Sequence, residues 1–137
     1  MAQKSRIRVC HVASGDLWAG AEVQIAGLLE ELRDLPDLEV SAVLLNKGKL
    51  HDELMERKIP VVVFDETRLN SLRLLKAFYS HFRKLRPDVV HTHRYKENVL
   101  AAIAAKLSSV PVTVRTVHGL QEHLTGWQRV RLTTYSR

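Results

Sequence analysis

The chain holds a single cysteine, Cys10, in 137 residues, so no disulfide framework can form within it. Inside an apolar stretch and without a partner, that thiol reads as a small buried hydrophobe and not as a nucleophile. No apolar run approaches the roughly 20 residues that cross a bilayer, which argues against an integral membrane protein. Residues 1–8 are basic, but the apolar run behind them, residues 9–13, contains a histidine and is too short for the core of a signal peptide. A cytoplasmic location is the expectation. Neither G-x-G-x-x-G nor G-K-[ST] occurs, and no nucleophile elbow supports a Ser-His-Asp set. There is no internal repeat and no low-complexity segment.

Charge is present but unevenly placed. Residues 1–66 carry 8 Lys and Arg against 12 Asp and Glu, and residues 67–137 carry 13 against 3, so the two halves have net charges of −4 and +10. Such asymmetry points to an anionic partner, whether phosphate, an acidic membrane surface or nucleic acid, or else to scattered solvated side chains. Nucleic acid is disfavoured, because the basic residues are not interleaved with aromatics and no recognition motif is present. A hydrophobic fraction of 45% with 26% charged residues is that of one soluble globular domain.

The apolar pattern alternates between strand and helix. Strands are expected at residues 7–12, 39–45, 61–64, 88–93 and 110–117, and helices from Ala21 to about Leu32, over 50–58, from Asn70 to Leu85 and over 98–107, with a last one starting near Trp127. Five strands joined by helical crossovers imply an α/β fold with a doubly wound, Rossmann-like parallel sheet. The helix after Asn70 is basic and amphipathic: Leu72, Leu75, Phe78, Phe82 and Leu85 form its stripe, and Arg73, Lys76, Arg83 and Lys84 fall off it.

Two stretches carry candidate chemistry. The loop from Gly15 to Gly20 leads into a helix, so free amides and the positive helix end would face the sheet edge, either as an anion site or as a plain tight turn. Trp18 in that loop is a substrate platform or a packed cover. The stretch Arg86-Pro-Asp-Val-Val-His-Thr-His93 reads as a short strand started by Pro87, with Val89, His91 and His93 on one face and Val90, Thr92 and Arg94 on the other. In open parallel sheets, ligands bind at the carboxyl ends of strands. An H-x-H pair on a strand face also suits a metal, but a catalytic site needs a third ligand, for which only His118, Asp65 or Glu66 would converge. No metal is expected.

These residues also resemble the N-terminal domain of the GT-B fold glycosyltransferases of family 4. The shared markers, in order, are Ala19-Gly-Ala-Glu22, where the family commonly has Gly-Gly-Ala-Glu; Lys58-Ile-Pro-Val61; Arg86-Pro-Asp-Val-Val-His-Thr-His93; and Val110-Pro-Val112 leading to Thr116-Val-His-Gly119. The resemblance implies one half of a GT-B fold, spanning residues 1–137 and truncated near its C-terminal end. This half would bind the acceptor in a retaining transfer from a nucleotide sugar, without a metal cofactor. It implies His118 as the catalytic contact to the transferred sugar, and Gly20, Ala19, His93, Arg94 and Gly119 as positions that touch substrate or donor.

The family's donor-binding C-terminal domain, with its basic pair and E-x7-E motif, is expected to be missing. Glu22 with Glu30 and Glu31 with Glu39 match the E-x7-E spacing in the wrong domain and by chance. Without those groups the isolated chain is expected to be inactive. A membrane-borne acceptor, with peripheral contact to an anionic inner face, is a further expectation. Two alternatives stay open: a non-catalytic α/β module for a phosphorylated or anionic ligand, and half of a GT-B nucleotide-sugar epimerase.

Overall fold

The computed structural model describes residues 5–15, 17–93 and 95–116, apart from the side chains of 95–98. Arg94, His118, Gly119 and the helix expected near Trp127 lie outside the described residues. The elements run β1 (Ile7–Ala13), α1 (Gly20–Arg33), β2 (Leu38–Leu44), α2 (Lys49–Glu56), β3 (Val61–Val63), α3 (Ser71–Leu85), β4 (Val89–Thr92), α4 (Tyr95–Leu107) and β5 (Val112–Arg115). All strand pairs are parallel, in the order β3-β2-β1-β4-β5. The order reverses between β1 and β4, the switch point where such sheets open a crevice at their carboxyl ends.

The sheet is covered on two faces by two separate cores. On one, Ala13, Val40, Ala42 and Leu44 pack with Ile25, Ala26 and Leu29 of α1 and with Leu50 and Leu54 of α2. On the other, Cys10, Val12, Val43 and Val90 pack with Leu74, Phe78 and Phe82 of α3 and with Ala101, Ala104 and Ala105 of α4. This division is the alternation of strand side chains between two helical layers. Burial pushes the Cys10 thiol up to about 12, so it stays protonated and inert, as its place in the sequence implies.

The helical stripes differ in detail from the sequence pattern. In α3 the buried line is Leu74, Phe78 and Phe82, while Leu72 is 75% exposed. Leu72 lies a further 60° or so round the helix from Leu75, beyond the strip that reaches the sheet. In α1 the buried face is Glu22, Ile25, Ala26 and Leu29, and Val23 and Leu28 face outward.

Element ends follow local chemistry. Asn70 caps α3, its Oδ1 accepting from the Arg73 amide at 2.9 Å. The helix closes on Arg86 in the left-handed region, at φ 51°, which turns the chain into Pro87. α4 begins three residues earlier than the sequence pattern implies, since neither proline nor glycine holds the connection after His93 open. β5 is shorter than expected because Val110 is spent on the end of α4: its amide donates to Ala105 O at 2.9 Å, beside Ser109 at φ 62°.

Candidate functional site

The carboxyl ends of β1, β2 and β3 are tied together by polar side chains. Asn46 Nδ2 donates to Ser14 Oγ at 3.2 Å and to Glu66 Oε1 at 3.1 Å, linking three neighbouring strand exits. The β1 and β2 exit loops touch backbone to backbone. A Cβ on Gly48 would stand 2.4 Å from the Gly15 carbonyl oxygen, and one on Gly15 would stand 2.8 Å from the Asn46 carbonyl oxygen. The two loops therefore pack at these glycines as one lip. Above it, Lys49 Nζ sits 5.9 Å from the centre of the Trp18 ring, and Trp18 remains 38% exposed.

The amino end of α1 opens on this lip. Ala19 is the N-cap at φ −132°, an extended conformation that an L-residue adopts without strain, so alanine in place of the family's glycine distorts nothing. Gly20 and Ala21 lie in the first turn, where amides have no intrahelical acceptor. One donor is already used: the Ala19 amide donates to Glu22 Oε2 at 3.2 Å, and Glu22 is buried. That carboxylate takes up part of the positive helix end, leaving the anion site smaller than the sequence pattern implies. A Cβ on Gly20 would meet nothing within 4 Å, so the fold itself does not require glycine there.

β4 brings His91 and His93 to the sheet face that carries α1 and α2, in the alternation expected from the sequence. The register with β1 pairs His11 directly with His91, so a third imidazole joins them. Ring centroids are 4.3 Å apart for His91–His93, 4.9 Å for His11–His91 and 5.3 Å for His11–His93. His11 Nδ1 and His93 Nε2 share a hydrogen bond at 3.0 Å, and His91 Nε2 meets Thr116 Oγ1 at 2.6 Å. Burial first, and His91 beside it second, push His11 down to about 3, so its ring is neutral at physiological pH.

Among the described residues the third member is His11, not the Asp65 or Glu66 that the sequence offered, and His118 lies outside those residues. Glu66 faces Asn46, and Asp65 is bonded to Thr67, whose hydroxyl and amide hold its carboxylate below the usual range. His11 was legible in principle. In a 3-2-1-4-5 sheet the first and fourth strands are neighbours, so residues at matching depth meet.

Of the expected site residues, Ala19 and Gly20 stand at the carboxyl end of β1 and His93 at that of β4, on adjacent strands. His93 is 1% exposed, so its ring is part of the floor and not of the open surface.

A sequence model of the family described as Glycosyltransferase Family 4 matches residues 18–137. Among characterised proteins, the UDP-Gal:alpha-D-GlcNAc-diphosphoundecaprenol alpha-1,3-galactosyltransferase of Escherichia coli is 31% identical, over 93% of this chain and 34% of its own. The chain thus spans about a third of that relative. Among solved structures, the apo form of the lipopolysaccharide outer core galactosyltransferase WaaB superposes with a TM-score of 0.72 at 12% identity, covering 96% of this chain and 43% of that one. The UDP-GlcNAc 2-epimerase of Neisseria meningitidis bound to UDP-GlcNAc gives 0.65 at 16%, covering 85% and 34%. Both likenesses show the fold.

Proposed function

From the premise that this chain belongs to Glycosyltransferase Family 4, we propose that it is the acceptor-side half of a retaining enzyme that moves a sugar from a nucleotide sugar to an acceptor. The observation that carries the reading is the placement of the Gly20 amide end and His93 on neighbouring strands at the switch point of the sheet. A ligand lying across that point meets amide donors on one side and the β4 rim on the other. His118, Arg94 and Gly119 complete the proposed set, with His118 on the transferred sugar.

The E. coli relative acts on a GlcNAc-diphosphoundecaprenol acceptor, and a glycolipid of that chemistry suits this chain. Trp18 offers an exposed face for a sugar ring, and Lys49 beside it offers a charge for a diphosphate. α3 turns Arg73, Lys76, Arg83 and Lys84 outward, a basic face for an anionic membrane near which such an acceptor resides. The contact proposed for α3 is a peripheral one, and no helix among the described residues is long and apolar enough to cross a membrane.

In this reading a second domain holds most of the donor and stabilises the departing nucleotide diphosphate, so the 137 residues alone are expected to transfer no sugar. The test is a ligand titration of the 137-residue chain followed by amide NMR. A soluble GlcNAc-diphosphate-alkyl acceptor is expected to shift the amides of Gly20, Ala21 and His93 more than any nucleotide sugar does. Sugar transfer by the chain alone, or shifts confined to the opposite sheet edge, would refute it. The second reading, half of a nucleotide-sugar epimerase, is favoured by the fold likeness to the N. meningitidis enzyme. It predicts the reverse preference, for the nucleotide sugar.

A further inference from the structure

We propose that His11, His91 and His93 form a binding site for one divalent transition metal of the zinc class. The site does not rest on the sugar-transfer reading, although it shares His93 with it. Its geometry comes from the sheet: the β1–β4 register sets His11 against His91, and strand alternation returns His93 to the same face one step further on. One ring nitrogen from each residue lies within 4.8 Å of one from each of the others. Imidazole nitrogens bound tetrahedrally at about 2.0–2.1 Å from zinc are roughly 3.4 Å apart. The His11 Nδ1 and His93 Nε2 pair, at 3.0 Å, is nearly there already, with a metal replacing the proton they share. Small rotations about χ2 then bring in the His91 nitrogen.

His11 Nε2 is buried without a hydrogen-bond partner among the described residues, and with an ion on Nδ1 this nitrogen carries the ring proton. Thr116 Oγ1 meets His91 Nε2 at 2.6 Å, an outer contact of the kind that orients a ligating ring, and it leaves Nδ1 as the nitrogen for the ion. Three imidazoles without a carboxylate select zinc, cobalt, nickel or copper over magnesium or calcium. Three protein ligands leave a fourth position for water. His91 is half-buried, and its register partner Val114 on β5 is 42% exposed, so an ion can enter from that side.

The experiment uses the tag-free 137-residue chain, stripped with chelator and titrated with Co2+ and then Zn2+. One equivalent of Co2+ is expected to bind with the intense visible absorption of a four-coordinate site, to be displaced by Zn2+, and to raise the melting temperature. His11→Gln and His93→Gln are expected to abolish the band, Thr116→Val to weaken binding about tenfold, and His51→Gln, at the exposed pair with Asp52, to leave it intact. If a variant fails to fold, histidine ring-nitrogen NMR of the unmodified chain decides. Zinc must shift the resonances of His11, His91 and His93 together. No uptake, a weak six-coordinate spectrum, binding that survives His11→Gln, or ring shifts at other histidines alone would overturn the proposal.

Discussion

His11 Nδ1 lies 3.0 Å from His93 Nε2, joining the middle of the first strand to the exit of the fourth in a place from which water is excluded. The two residues are 82 positions apart in the chain, so this contact reports on the closed sheet and on nothing local. Removing one ring strands its partner and opens a cavity, which together cost about 2–4 kcal/mol. His11→Ala is expected to lower the urea midpoint accordingly when measured in chelator. In a double-mutant cycle with His93→Ala, the pair should show a coupling of about 1 kcal/mol. Strict additivity would mean that the bond contributes nothing.

The two glycine environments predict opposite signs for the same substitution. Gly48→Ala drives a methyl into the Gly15 carbonyl at 2.4 Å, and both atoms belong to backbone that the lip cannot move freely. A loss of about 1–3 kcal/mol is expected. Gly27 lies inside α1 with nothing within 4 Å of its would-be Cβ. Gly27→Ala should stabilise the chain by about 0.5–1 kcal/mol, because it removes backbone freedom from the unfolded state and meets no obstacle in the folded one. Thermal melts of the two variants side by side check both.

Most of the fold is legible in the sequence, because the strands are short runs rich in apolar and β-branched residues and the helices between them repeat at about 3.6. The identity of the packed residues within those helices is less so. Leu72 and Leu74 are equally apolar, and only the angle at which α3 meets the sheet makes the second a core residue. The candidate site divides in the same way. His91, His93 and the Gly20 turn announce themselves by spacing, but His11 sits in a run that reads as plain strand. It becomes part of the cluster only through register between strands that are distant in sequence. The closeness of Gly15 to Gly48 is likewise invisible without the sheet order, since no one-dimensional pattern records which exit loops lean together.

Acid should destabilise the chain through His81. Burial against Phe64 and Phe82 comes first, and the nearby Lys84 charge second, in pulling its pKa below the usual imidazole value of 6.5. Above that value the ring is neutral in both folded and unfolded chains and favours neither. As the pH falls below 6.5, the unfolded chain takes up a proton that the folded chain refuses, so stability is lost until the pH reaches the lowered folded value. His81→Gln should flatten this part of the stability profile, just below pH 6.5. An unchanged slope in denaturant titrations across that window would assign the acid sensitivity elsewhere.

Gly20 separates what the fold needs from what a bound ligand needs. A methyl there meets no atom of the chain within 4 Å, and Gly20 lies in the helical first turn, which alanine adopts readily. Gly20→Ala should therefore leave the melting temperature unchanged or slightly raised. A phosphate or sugar oxygen held by the α1 amides has to approach closely to accept a hydrogen bond, and a methyl on Gly20 would crowd such a ligand. Displacing such a group by even part of a methyl radius weakens or breaks the bond, a loss of about 1.4 kcal/mol or tenfold in affinity. In the acceptor titration, Gly20→Ala is thus expected to bind about tenfold more weakly while melting no lower than the parent chain. Equal affinity for the two would move the bound ligand away from this helix end.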